Sequence, residues 1–301
     1  MKAPTLEDLA CLKAALKSRQ AGVYALLKPT HKIALNPSML KPDLKKLKKQ
    51  NLVALKRQNL KAPLVAILLA IALLCHAKAA PDWGYTDKLT QDKWGNKAMY
   101  LGCRLGNQQS PINITTRLVQ PSGAGLVVAK YLPAKGVNLS LEDYSFQITY
   151  PPNNKLQVKG IDYTLKFIRI KTPAENMINS SQGLMEAQFF HEDSKGALLI
   201  LSVLFMEGNA NPLVDLIIKN LPQPNKASFI SSVDIYQLLP RSFDSYQFDG
   251  SLTTPPCTQG VRWVVLKQPL TVTKTQADFL QNITKPNARD VQNLANRLIV
   301  E

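Results

Sequence analysis

Histidine is scarce in this chain, which has only His31, His76 and His191 among its 301 residues. A catalytic zinc ion usually takes three protein ligands from His, Cys, Asp or Glu and leaves a fourth position open. His31 and His76 precede the part of the sequence that resembles a globular domain. One histidine remains in that part, so a three-histidine metal site cannot be assembled there.

The chain also lacks an apolar run long enough for a membrane-spanning helix, which needs roughly 17–25 residues. The run at 62–75 has 14 residues, follows three basic residues and precedes an Ala-x-Ala sequence that ends at Ala79. This layout predicts a signal peptide over 61–79 and a secreted or periplasmic protein. An uncleaved segment would anchor the protein in the membrane, and a buried core helix is the remaining alternative.

Acidic residues are few, but the shortage is confined to the front of the chain. Residues 1–79 carry 15 Lys+Arg against 3 Asp+Glu, which leaves 22 against 18 for 80–301. Residues 1–60 are interpreted as a basic Lys/Leu-rich leader, either disordered or translated from a mis-assigned start; a tail for membrane surfaces or nucleic acid is the alternative. The domain at 80–301 is nearly neutral, so we expect no nucleic-acid partner for it.

Residues 163–191 predict two strands joined by a turn-rich connection. On the first strand, Arg169 and Lys171 share a face with Phe167, because side chains on a strand have period two. On the second strand, 185–191, Gln188 shares a face with Glu186 and Phe190. Two cations on one strand face indicate either an exposed face or a pocket that requires positive charge.

The remaining pattern predicts a mixed, mostly β domain. A short strand is expected at 145–150, and the apolar run 197–205 predicts a strand buried on both faces. Helical patterns are sparse, with candidates near 212–220 and 274–282.

Two long segments, CRLGNQQSPINI at 103–114 and YQFDGSLTTPPCTQGVRW at 246–263, resemble signatures of the α-class carbonic anhydrases. The resemblance covers roughly residues 83–298. It implies the α-carbonic anhydrase fold, a large twisted, mainly antiparallel central sheet with few short helices. It also implies a zinc-dependent lyase that hydrates carbon dioxide reversibly.

The resemblance places three non-histidine residues at the zinc-ligand positions: Arg169, Lys171 and Gln188. Protonated Arg and Lys have no lone pair to donate, and Gln is a weak zinc ligand. The frame around these positions is retained at Pro173, Glu175, Glu186 and His191. We therefore predict an acatalytic relative with no zinc cofactor.

Other family positions are retained or altered in ways that the resemblance interprets. Thr253 and Glu175 match the pair that orients the zinc-bound hydroxide. Tyr144 stands where highly active members have a proton-shuttle histidine, which titrates nearer to neutral pH than tyrosine. The hydrophobic carbon dioxide pocket matches Phe190, Ile200, Leu252, Thr254, Val261 and Trp263, with Phe190 bulkier than the usual valine. His191 is interpreted as a satisfied core histidine.

Cys103 and Cys257 are the cysteines that follow the predicted cleavage site, and exported chains with an even count commonly pair them. The resemblance implies the same disulfide, which would tether the Thr253 loop to the N-terminal segment.

Two hypotheses account for Arg169 and Lys171. In the favoured one, the two cations replace the metal as a structural centre that satisfies Glu186, Gln188 and nearby oxygens. In the other, they form a pocket for a small anion, bicarbonate or a carboxylate.

The sequence thus favours a non-catalytic binding or structural module, with an extracellular protein or glycan as a further class of partner. The alternative function is a zinc-dependent carbonate dehydratase of weak or atypical activity. Four Asn-x-Ser/Thr sequons would be glycosylated only in an organism that modifies them: Asn113, Asn138, Asn179 and Asn282.

Overall fold

The computed structural model describes residues 81–86, 89–121, 123–223 and 226–301. The predicted leader at 1–60 and signal peptide at 61–79 lie outside these residues, so both stay predictions. Within the described part of the chain, no helix is both long and apolar enough to cross a membrane.

Two β-sheets contain all the strands of the described residues. The strands are β1 Asn113–Ile114, β2 Val127–Lys130, β3 Val137–Glu142, β4 Ser145–Thr149, β5 Lys155–Val158, β6 Ile161–Lys171, β7 Met177–Ile178, β8 Ser181–Gln182, β9 Met185–Glu192, β10 Leu198–Glu207, β11 Ser228–Ile230, β12 Ser245–Ser251, β13 Gln259–Leu266 and β14 Leu270–Val272. The large sheet has 11 strands and runs β11-β3-β4-β6-β9-β10-β13-β12, while β5 pairs with β2 and β6, and β14 pairs with β10. The small sheet has the order β1-β7-β8.

Most strand pairs in the large sheet are antiparallel. The exceptions are β10 with β13 and β10 with β14, which run parallel. A sheet of this size carries the usual right-handed strand twist. The predicted architecture, a twisted and mainly antiparallel sheet, is confirmed.

The helices of the described residues are short. They are α1 Gly102–Leu105, α2 Pro212–Lys219 and α3 Lys274–Thr284, with 3-10 turns at Gln91–Asn96, Ala98–Tyr100, Thr116–Leu118 and Ile235–Leu238. Asn211 caps α2 through its side chain, and Thr273 forms a reciprocal capping box with Gln276 at the start of α3. Such caps satisfy the unpaired N–H groups of the first turn. Both predicted helices are therefore confirmed, with ends that shift by one or two residues.

Strand β10 divides the interior into two cores. Residues 199–205 are all buried. Leu199, Leu201 and Val203 belong to the large core on one face, whereas Ile200 belongs to a second cluster on the other face. A strand with apolar neighbours on both faces needs an unbroken apolar run, which explains the pattern at 197–205.

Candidate functional site

The three positions assigned to metal ligands by resemblance lie on the neighbouring strands β6 and β9. In their antiparallel register, Arg169 is opposite Gln188 and Lys171 is opposite Glu186. Directly opposed residues have Cβ atoms roughly 5 Å apart on one face. The register is fixed because a one-residue slip would turn the buried Ile170 away from the core. The register therefore places all three side chains on the same face of the sheet.

Lys171 is the buried cation of this site, with a side chain that is 1% exposed. Its Nζ lies 3.2 Å from Glu175 Oε1 and donates to the Tyr85 hydroxyl and the Asn287 carbonyl, each at 3.0 Å. Burial by itself lowers the pKa of Lys171, but the charge of Glu175 and the contact with Tyr85 outweigh it and raise the pKa above its usual 10.5. Three donors thus meet three acceptors, and the ammonium stays charged at neutral pH.

Glu175 is the carboxylate that pairs with this ammonium. Its Oε2 accepts from Thr253 Oγ1 at 2.6 Å and from Gln188 Nε2 at 2.8 Å. Its Oε1 accepts from the Arg289 backbone N–H at 2.9 Å and also faces Lys171. A buried carboxylate held by a cation and three further donors is well compensated for its lost hydration.

Glu186 lies beside Glu175 but has no cation within bonding distance among the described residues. Its Oε2 accepts from the backbone N–H groups of Glu175 and Asn176, at 2.7 and 2.9 Å. Its Oε1 accepts from side chains of Asn176, Gln188 and Ser202, at 2.9, 3.1 and 2.7 Å. Burial, and after it the charge of Glu175, raises the pKa of Glu186.

These contacts correct one part of the hypothesis that Arg169 and Lys171 form a structural centre in place of the metal. We predicted that Arg169 and Lys171 would together satisfy Glu186 and Gln188. Neutral donors satisfy Glu186 instead, because the reach of Lys171 carries its Nζ to Glu175. Arg169 is paired outside this cluster.

Gln188 bridges the two buried carboxylates. Its Nε2 donates to both Glu175 and Glu186, so the amide can only be oriented with its nitrogen toward them. Its Oε1 is the one fully buried side-chain polar atom without a hydrogen-bond partner among the described residues. The amide nitrogen therefore serves as a donor to both carboxylates, while the amide oxygen is left unpaired.

The residues present do not fit a zinc ion. Within the described residues there is no group of three or more His, Cys, Asp or Glu side chains that could hold a metal. An ammonium and a guanidinium cannot donate a lone pair, and Lys171 would repel a dication at close range. The third position offers only the Oε1 atom of Gln188.

Arg169 points away from the buried cluster. Its Nη2 lies 2.9 Å from Asp143 Oδ2, and its Nε donates to Gln147 Oε1 at 3.2 Å. The guanidinium carbon lies 5.2 and 5.6 Å from the ring centroids of Phe167 and Phe190. Arginine readily stacks on aromatic faces in this way.

The predicted pocket residues separate into a buried group and a cavity-lining group. Ile200, Val261 and Trp263 are fully buried in the second core cluster. Phe190 and Leu252 are partly exposed and pack against that cluster, and together with Thr254 they line a cavity of about 320 Å³. The Phe190 ring stacks on Phe167 at 4.6 Å between centroids. The roles that the resemblance gives these residues stay predictions.

Tyr144 is held in an aromatic cluster. Its hydroxyl donates to the Trp83 carbonyl at 2.8 Å, and its ring packs on Trp83 and Tyr85. A hydroxyl committed to a carbonyl is poorly placed to relay protons, which agrees with the altered shuttle position.

His191 lies on the opposite face of β9 from Gln188. Its Nδ1 is 2.8 Å from the Phe189 carbonyl and must carry the proton, so Nε2 accepts from the Tyr131 hydroxyl at 2.8 Å. Burial lowers the pKa of His191 to about 3. The side chain is a neutral, satisfied core histidine.

The predicted disulfide between Cys103 and Cys257 is present. The Cys257 backbone N–H donates to the Thr254 carbonyl at 2.9 Å. Ser110 and Ser251 exchange hydrogen bonds between the same two segments. The loop that carries Thr253 is thus fixed to the N-terminal segment.

Sequence reasoning missed several residues that complete the site, including Tyr85, which accepts from Lys171. Asp143 and Gln147 hold Arg169, while Asn287 and Arg289 close the buried cluster from the C-terminal stretch. Residues 285–300 have neither a repeating apolar pattern nor a motif. Nothing in the sequence therefore marked Asn287 or Arg289.

Comparison with known proteins places this geometry in context. The family model described as eukaryotic-type carbonic anhydrase matches residues 89–301. A carbonic anhydrase of Neisseria gonorrhoeae is 34% identical over 247 residues, which are 79% of this chain and 97% of that protein. Dioscorin dioA3 of Dioscorea japonica is 29% identical over 75% of this chain and 86% of its own length.

Solved structures agree with the sequence relatives. The α-carbonic anhydrase of Thermovibrio ammonificans, solved with sulfanilamide, has a TM-score of 0.70 at 28% identity and covers 74% of this chain and 100% of that one. A dioscorin solved in complex with ascorbate has a TM-score of 0.68 at 27% identity, over 73% of this chain and 97% of that one.

Proposed function

This chain belongs to the carbonic anhydrase family, and we propose that it is an exported member that holds no catalytic zinc and acts as a non-catalytic binding module. The proposal depends on one observation above all. The buried Lys171 ammonium forms an ion pair with Glu175 at 3.2 Å and fills its remaining donor positions with Tyr85 and Asn287.

That ammonium supplies the positive charge which a metal would otherwise bring to the cluster. In family enzymes, zinc lowers the pKa of a bound water to about 7 and so provides hydroxide. The side chains of Lys171, Arg169 and Gln188 offer no comparable activation of water. The retained pair of Thr253 and Glu175 is then useful mainly for structure, because Glu175 serves as the counter-ion of Lys171.

A binding role is supported by the cavity beside this cluster, where Phe190 and Leu252 are partly exposed and Thr254 forms part of the wall. The dioscorin structure with bound ascorbate supports the idea that a related protein can hold a small organic molecule. Export is supported by the disulfide, since such bonds form and persist in oxidising compartments.

Zinc content and turnover test this proposal directly. The full chain is expressed with zinc in the medium, its zinc content is measured by plasma mass spectrometry, and carbon dioxide hydration is followed by stopped flow. We expect far less than one zinc ion per chain and no hydration above the buffer rate. One tightly held zinc ion per chain, with turnover that chelators abolish, would contradict the proposal.

A matched control variant carries Arg169→His, Lys171→His and Gln188→His together. It should bind zinc through the three new imidazoles. Glu175, Glu186 and the Asn287 carbonyl remain as acceptors that can orient the ring N–H groups of these imidazoles. Zinc in this variant alone shows that the assay can detect a metal held in this scaffold.

The second candidate function is that of a weak carbonate dehydratase. The observation in its favour is the intact hydrogen bond from Thr253 to Glu175, at 2.6 Å, in a chain whose relatives include carbonic anhydrases. The same stopped-flow measurement decides between the two functions.

A further inference from the structure

The cavity of about 320 Å³ lies on the outer side of the site, beyond Arg169. Its volume is at the lower end of the range for small-molecule sites, which is roughly 300–1,000 Å³. A ligand of one ring or a few carbon atoms is therefore the size that it can enclose.

The walls of this cavity are mainly apolar. They are formed by Phe167 and Phe190 on the strands, Leu198 on β10, and Leu252 and Pro255 on the loop. The two phenylalanine rings stack with an interplanar angle of 26°. Flat apolar walls favour a flat apolar ligand body, because each contact removes hydrocarbon surface from water.

Arg169 brings a fixed guanidinium to the same cavity. Asp143 holds Nη2, Gln147 holds Nε, and the rings of Phe167 and Phe190 lie within 6 Å of the guanidinium carbon. Nη1 has no hydrogen-bond partner among the described residues. The side chain is thus held in one orientation with one nitrogen still available, which lowers the entropy lost on binding.

Thr254 adds a second polar group. Thr254 lines the cavity, and its hydroxyl has no hydrogen-bond partner within the part of the chain that the structure describes. The other charged residues that line the cavity are already paired: Lys166 with Glu192 at 2.9 Å, and Asp143 with Arg169 itself. Among the less exposed groups of the lining, the available donors are Nη1 of Arg169 and Oγ1 of Thr254, whereas the remaining N–H groups of Lys166 belong to a side chain that is 48% exposed.

We propose that this cavity binds a small carboxylate with a flat apolar body. The carboxylate accepts from Arg169 Nη1 and from the Thr254 hydroxyl, and the body lies against Phe190 and Leu252. This ligand class deepens the proposed binding function and rests on it. Of the two cations in the anion-pocket hypothesis, only Arg169 can then bind the anion. Lys171 cannot, because protein acceptors already occupy its three donor positions.

Benzoate is the probe, and calorimetry of the full chain in a chelating buffer is the measurement. We expect saturable binding of benzoate and none of benzyl alcohol, which has the same ring without the carboxylate. Arg169→Gln should weaken the Kd about tenfold or more, since a charged hydrogen bond is worth at least that factor.

A second variant makes the inference independent of fold damage. Asp143→Asn removes the competing carboxylate from Arg169, and asparagine tolerates the positive φ of 48° at this position. It should bind benzoate several-fold more tightly. The control Arg262→Gln removes an exposed arginine that also lies near an aspartate, and should leave the Kd unchanged.

Three results would each contradict the inference. Zinc-free protein that binds no benzoate contradicts it and leaves the zinc-free proposal standing. Benzoate binding that appears only with bound zinc and disappears on chelation contradicts both. An equal Kd for the wild type and Arg169→Gln also excludes the assigned role of the guanidinium.

Discussion

Lys171 and Arg169 lie two residues apart on one face of β6, yet their surroundings differ. The Lys171 side chain is 1% exposed and is surrounded by Glu175, Tyr85 and Asn287. The Arg169 side chain is 11% exposed, borders a cavity and keeps one nitrogen without a partner in the described residues. The inner cation is thus paired by protein oxygens on every side, while the outer cation keeps one nitrogen unpaired at a cavity.

The difference shows that two cations on one strand face can be accommodated in two separate ways. Deep in the fold, a charge can be replaced only if carboxylate and carbonyl oxygens compensate for its lost hydration. Near the mouth, a charge can remain partly unsatisfied because water reaches it. The two regions should therefore respond differently to mutation.

Removal of the inner cation is expected to have the largest effect. Lys171→Met leaves the buried Glu175 without its ion-pair partner, so the free energy of unfolding should fall by about 3–5 kcal/mol. Urea denaturation measures this loss of stability.

Two control variants test the cause of the loss. The double variant with Glu175→Gln should recover part of it, whereas Lys274→Met, at an exposed pair with Asp278, should cost less than about 1 kcal/mol. A similar loss of stability in Lys171→Met and Lys274→Met would contradict the expected difference between the buried and the exposed ion pair.

The disulfide supports the loop that both regions share. Replacement of Cys103 and Cys257 by serine should lower the free energy of unfolding by about 2–4 kcal/mol, because the bond restricts the unfolded chain over a separation of 154 residues. Chemical denaturation of the variant, and of the wild type with and without reductant, measures the effect. Stability that is insensitive to reductant would contradict it.

His191 contrasts with Lys171, because it is a buried base with no carboxylate partner among the described residues. Its pKa is about 3 in the fold and 6.5 in the unfolded chain, so between these values only the unfolded state binds the extra proton. Stability should therefore fall as the pH is lowered through 6.5, by about 1 kcal/mol per pH unit near pH 5.5. The free energies of unfolding of wild type and His191→Gln, measured by urea denaturation between pH 5 and 7, should diverge by this slope. Parallel pH dependences of the two proteins would contradict the assignment.

Removal of the outer cation is expected to have the smallest effect on stability. Arg169→Gln should cost about 1 kcal/mol, because its partner Asp143 is partly exposed and can be hydrated. The same denaturation series measures it. A loss as large as that of Lys171→Met would show that both cations are structural.

The arrangement of β6 and β9 could be predicted from residues alone. Ile168 and Ile170 mark the core face of β6, and the cations that alternate with them must then share the other face. The long motifs at 103–114 and 246–263 predicted the family and the disulfide. The helix caps at Asn211 and Thr273 are local, so both longer helices could be predicted within two residues.

The surroundings of the cations could not be predicted in this way. Tyr85 and Asn287 lie 86 and 116 residues from Lys171 along the chain, and neither belongs to a motif that marks it as a partner. Asp143, which lies at a turn with positive φ, likewise gave no sign that it would pair with Arg169.

The sequence by itself determined that the three aligned positions, Arg169, Lys171 and Gln188, carry no imidazole or other strong metal ligand, because lone pairs are a property of the residue type. Only the tertiary structure decided that Lys171 would be enclosed and Arg169 left at a cavity. The physical reason is that the cost of burying a charge depends on which distant oxygens the folded chain brings to within about 3 Å of it.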